Sequence, residues 1–171
     1  MQPFDEYKIN GLEFKLRKLG NLLYHEGPIE THYVNEKDED FILFWVDSDK
    51  EYNRWMLFKT TTSLLDDFFH KELSTLDLIN KNPDGLIYLI DIDDDIEYRR
   101  LYKLPVKKIP SEYLPSKDSF FNEYQFEDYA HQLRNYLSLH LLRQGKAYPQ
   151  QSQSSVSVAA EPGGSDFGKP V

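Results

Sequence analysis

The chain has 171 residues, of which 40% are hydrophobic and 15% aromatic, enough for one domain with a real core and weighted toward β structure. Its formal net charge of −9 sets its surface against phosphate backbones and so against unaided nucleic-acid binding. It has no cysteine, which excludes disulfides, thiolate catalysis and cysteine-ligated zinc.

The opening MQPFDEYKINGLEF carries neither the basic nor the apolar region of a secretory signal. No apolar run approaches the roughly 18 residues that mark a membrane-spanning helix. A soluble, cytoplasmic protein without a membrane association is expected. Residues 3–10 read as an irregular lead-in with Phe4 and Tyr7 as anchors. Leu12, Phe14 and Leu16 then alternate with Glu13, Lys15 and Arg17, the pattern of a half-buried strand. Leu19 to Tyr24 continues it past a bend at Gly20-Asn21, and Ile29 to Val34 gives another short strand after Gly27-Pro28. A charged loop over 35–40 leads into FILFWVDSDKEYNRWMLFKT, residues 41–60. Two aromatic, β-favouring runs flank its polar break and make a central hairpin. In its second run Met56 and Phe58 face one way, Trp55 and Leu57 the other.

After Thr60 the period changes. Thr61, Thr62 and Ser63 offer N-caps to a helix carrying Leu64, Leu65, Phe68 and Phe69, and Ser74-Thr75 starts a second. The stretch NKNPDG (80–85) breaks it, and LIYLIDI with IEYRRLYKL forms a second hairpin about Asp93-Asp94-Asp95. Three prolines between 105 and 115 predict extended, irregular chain. Asn122 to Gln144 is the longest helical candidate, with Phe126, Tyr129, Ala130, Leu133, Tyr136, Leu137, His140 and Leu141 on one face. Residues 145–171, rich in Ser, Gln, Gly and Pro, have little to bury, and a disordered or foreign tail is expected there.

Catalytic signatures are sparse, and the sequence points away from an enzyme and from any cofactor. There is no Gly-x-Ser-x-Gly elbow, no phosphate loop and no His-Glu-x-x-His helix. His25 and His32 have the spacing to meet across a sheet, without any motif that requires it. The acidic turn containing Asp91, Asp93 and Asp95, with Asp94 and Glu97, offers oxygen ligands to a hard cation. As an EF-hand it fails, because Ile96 and Tyr102 stand where Gly and Glu are needed. A solvated hairpin turn is the simpler reading. At the tip of the central hairpin Asp47, Asp49, Tyr52, Asn53, Arg54 and Trp55 bring together residue types that dominate protein interfaces. Arg54 paired across the strands with Asp47 or Asp49 is the structural alternative.

The run from LLYHEGPI through FWVDSDKEYNRWMLF and LDLINKNPDGLIYLIDID to IPSEYLPSKDSFF resembles a family of small bacterial domains of unknown function, over about residues 3–121. The resemblance implies a compact α+β domain from a bacterial cytosol and brings no catalytic or cofactor residues with it.

The expectation is therefore a single α+β domain over residues 1–144. Its sheet is mainly antiparallel and twisted, with the two hairpins as central strands, two short helices between them, and a longer C-terminal helix on the sheet. Its expected role is non-enzymatic protein interaction in a bacterial system, as an immunity, inhibitor or accessory subunit with a protein partner. A metal-dependent enzyme using the acidic turn and an acidic mimic of nucleic acid are the alternatives. The sequence is silent on oligomeric state.

Overall fold

Residues 40–59 carry two interleaved apolar sets along two strands, and the rest of the sheet is laid out from them. In the computed structural model, which describes residues 3–24, 28–122 and 127–143, β3 (Asp40–Ser48) and β4 (Asn53–Lys59) pair antiparallel, with Ile42 opposite Phe58 and Phe44 opposite Met56. β1 (Leu16–Tyr24) and β2 (Pro28–Asn35) extend the sheet on one side. β5 (Leu86–Ile92) and β6 (Tyr98–Pro105) extend it on the other. The described strands form one six-stranded antiparallel sheet in chain order, so the α+β reading holds. β3, β4 and β5 are central, whereas β6 of the second hairpin is an edge strand rather than a central one. The expected bend in β1 is present as register shifts between Lys18 and Gly20 and between Asn21 and Leu23.

Alternation sends Ile42, Met56, Phe58, Ile87, Leu89 and Leu104 to one face, which the helices cover. Phe41, Leu57, Tyr88, Ile90 and Leu101 point to the other. Each of these fully buried aliphatic or aromatic side chains contributes about 1.5–3 kcal/mol. The sheet curls toward the second face. Lys18 on β1 and Ile96 beyond β5 line one cavity together with Tyr33, Leu43, Trp55 and Ile92.

Leu12 to Leu16 departs from expectation, because β1 begins only at Leu16. Residues 8–15 are instead a strap across the concave face. Lys8 bridges Tyr102 on β6, the Ile9 amide donates to the Leu101 carbonyl at 2.9 Å, and the Lys15 amide donates to the Glu36 carboxylate at 2.9 Å. Phe14 stacks on Phe41 at 4.7 Å between ring centroids and meets Tyr88 edge-on at 5.6 Å. Burial on one side alone produces period-two alternation, so a strap and a strand read alike.

Two short helices fill the connection between β4 and β5. α1 (Thr62–Phe69) is capped by Thr61, whose hydroxyl accepts from the Leu64 amide. It buries Leu65, Phe68 and Phe69. α2 (Thr75–Asn80) starts in a reciprocal box between Ser74 and Asp77, and removing such a cap costs about 1 kcal/mol. Gly85, at φ +68°, makes the turn back into β5. α3 (Glu127–Arg143) buries Tyr129, Ala130, Leu133 and Leu137. It lies so close to β1 at Gly20 that any Cβ there would overlap the Tyr129 ring.

The expected tail, His25, Phe126 and the ends of the expected long helix at 123–126 and Gln144 lie outside the described residues. No helix among the described residues is long and apolar enough to cross a membrane.

Candidate functional site

Strand alternation decides what becomes of the hairpin-tip residues. Asp47 accepts from the Ser48 amide, and Asp49 accepts from the Glu51 and Tyr52 amides at 2.8 and 2.9 Å, so both build the turn. Those amides hold the Asp49 carboxyl below its usual range. The Tyr52 ring carries the Arg100 guanidinium 4.5 Å from its centroid. Asn53 and Trp55 line the concave cavity, and Asn53 accepts from the indole nitrogen of Trp45, itself 37% exposed. Arg54, between them in sequence, points through the sheet to the helix side.

Arg54 is fully buried, and it pairs with neither Asp47 nor Asp49. Its Nε and Nη2 donate to the two oxygens of Asp91 on β5, at 2.7 and 2.8 Å, in the bidentate geometry that suits a guanidinium. Nη1 donates to the Tyr113 hydroxyl at 3.0 Å, and the Phe4 and Tyr102 rings lie 5.3 and 5.6 Å from the guanidinium carbon. Arg100 adds a second contact to Asp91 at 3.1 Å. Burial pushes the Arg54 pKa down, but Asp91 and Tyr113 outweigh it and the net shift is upward. Arg54 is thus a core residue, removed from any surface the hairpin presents.

The same pair divides the acidic turn. Asp91 is inside and committed to two arginines, whereas Asp93 accepts from the Glu97 amide and pairs with Arg99. The Glu97 amide, with Arg99 behind it, holds the Asp93 carboxyl below its ordinary value. Asp94 and Asp95 are exposed at the tip. Among the described residues no three His, Asp or Glu side chains are placed to hold a metal ion.

The turn does bring an unforeseen residue to the surface. Ile96 has φ +60°, a left-handed conformation that a β-branched side chain adopts at a cost of about 1–2 kcal/mol. It is 82% exposed and stands at the concave cavity, about 340 Å³, with Trp55, Tyr33, Leu43 and Ile92. A signal for it existed in the sequence: an isoleucine in an otherwise all-polar turn.

Two further polar groups lie inside the helix-covered face. His32 is held between the Tyr129 hydroxyl at 2.6 Å and Asp40 at 2.8 Å, and Asp40 also accepts from Tyr136 and Thr62. This tyrosine–histidine–aspartate chain is sealed from solvent and ties α1 and α3 to β2 and β3. Burial, with the Asp40 charge nearby, pushes the Tyr129 and Tyr136 hydroxyl pKa values upward, so both stay protonated, and Tyr136 donates to Asp40. Glu30, on the same face of β2, is 2% exposed, and its carboxylate accepts from the Thr75 hydroxyl at 2.9 and 3.2 Å. Burial pushes its carboxyl up to about 7, against the opposing pull of that hydroxyl. The alternation of Glu30, His32 and Val34 was visible in the sequence, and a buried Val34 turns all three inward.

Comparison with protein-family models, curated proteins and solved structures finds no match. The functional reading therefore rests on the residues alone. Of the six hairpin residues, Asn53 and Trp55 line the open concave groove, Asp47 and Asp49 build the turn, Tyr52 packs on Arg100 and Arg54 is buried on the helix side.

Proposed function

We propose that the chain is a cytoplasmic, non-catalytic protein-binding domain of a bacterial system, of the immunity, inhibitor or accessory kind. Its partner docks at the open end of the concave sheet face. The observation that carries this reading is Ile96, which holds a large apolar side chain in water on a backbone conformation unfavourable to it. Strain of that kind collects at functional sites. Around it, Trp55 and Tyr33 supply aromatic surface of the sort that anchors interfaces, and the strap keeps the rest of the face closed. The bacterial setting draws its support from the family resemblance.

The test is quantitative affinity capture from the host bacterium with wild-type protein and with the Ile96→Glu and Trp55→Ala variants. A stoichiometric partner retained by the wild type should fall at least about tenfold in both variants, equivalent to 1.4 kcal/mol at the interface. A partner held equally by all three would remove the concave face from the proposal.

A further inference from the structure

The helix side of the sheet contains a cavity of about 540 Å³, within the size range of small-molecule sites. Leu22, Phe44 and Phe68 form apolar parts of its wall, and the segment 112–122 lies across it. That segment is pinned at both ends. Tyr113 is fixed by the Arg54 guanidinium, and the Ser119 carbonyl accepts from the Thr75 amide at 2.9 Å. The cavity is accordingly preformed, and a ligand would not have to order its roof.

Glu30 and Thr75 both line this space. Among the described residues, Glu30 is the one buried carboxylate of the sheet without a cation or imidazole beside it, Asp91 having Arg54 and Asp40 having His32. No Lys, Arg or His among the described residues lines the cavity, whereas a second acid, Glu112, does. A carboxylate withdrawn from water with one hydroxyl for company is costly unless a positive charge reaches it. The described residues supply the apolar walls and, at Glu30, the negative charge, but no cation beside it.

We propose that this cavity binds a small amphiphilic organic amine, its ammonium group on Glu30 and its apolar body against the aromatic and aliphatic walls. The site shares no lining residue with the cavity on the concave face.

The test is calorimetric titration of the full chain at pH 8 with three ligands that share one ring system: tryptamine, tryptophol and indole-3-acetate. Tryptamine should bind with a Kd of about 1 mM or tighter, and indole-3-acetate at least about tenfold more weakly. Glu30→Gln, which keeps the side chain's shape, should weaken tryptamine at least about tenfold and leave tryptophol unchanged. Phe120→Ala trims an exposed part of the wall, 43% accessible, and should weaken all three ligands severalfold without disturbing the core. Three results would overturn the proposal: no tryptamine binding, equal binding of the acid, or tryptamine affinity indifferent to both substitutions.

Discussion

Asp91 and Glu30 lie on the same face of one sheet, both are withdrawn from water, and their surroundings treat them oppositely. Asp91 has a bidentate guanidinium, a second arginine and a ring of aromatics about its partner. Glu30 has a threonine hydroxyl and a cavity. The first centre is electrostatically complete and reads as architecture. The second is incomplete, with a buried carboxylate that only a hydroxyl answers, and that contrast is what the proposed amine site rests on.

The comparison can be broken most forcefully at its complete end. Asp91→Asn leaves the Arg54 charge buried without its counter-ion, and urea denaturation should show a loss of about 3–5 kcal/mol. Replacing both members, Arg54→Met with Asp91→Leu, should recover most of that loss, because breaking a buried pair is worse than deleting it. If Asp91→Asn proves harmless, the pair is not the closed unit described here.

Glu30→Gln should act in the opposite direction. The carboxyl is raised from 4.5 to about 7 on folding, so between those values the folded state holds a proton that the unfolded state has released. Wild-type stability gains from this group fully below pH 4.5 and loses that gain as pH rises through 7. The difference is about 3 kcal/mol. Against the wild type, Glu30→Gln should therefore gain stability progressively from pH 4.5 to 7 and hold that gain at pH 8, as thermal melts across that range would show. A constant offset over the whole range would place the strain elsewhere.

The smallest effect belongs to the surface counterpart of Glu30. Ile96→Gly relieves the left-handed backbone and should stabilise the protein by about 1 kcal/mol in the same denaturation assay. If it destabilises instead, the Ile96 side chain contributes more to the fold than its exposure indicates.

These contrasts also explain what the sequence could disclose. Strand and helix positions follow from local periodicity, and both hairpins, both short helices and the buried face of α3 were legible for that reason. The opposed faces of Arg54 and Trp55 were legible too, since β4 alternates. The identity of Arg54's partner was not. Asp47 and Asp49 are its hairpin neighbours, whereas Asp91 becomes a neighbour only when β5 docks beside β4 across the two intervening helices. Nor could periodicity tell the strap over residues 8–15 from a strand, because the missing information is the hydrogen-bond partner and not the buried face. Alternation groups Glu30 with His32 and Val34, but it carries no sign of the cavity, which exists only once α2 and the segment 112–122 lie over that face.

The strap has a consequence for synthesis. Lys8 finds its bridge at Tyr102, so the segment that shuts the concave face leaves the ribosome long before the strand that anchors it. At about 5–20 residues per second, Lys8 and Ile9 wait roughly 5–20 s for β6 to emerge. Through that interval the strap can be held only at its far end, where Phe14 meets Phe41 and Lys15 meets Glu36, and the last hairpin to be translated fixes the end at Lys8.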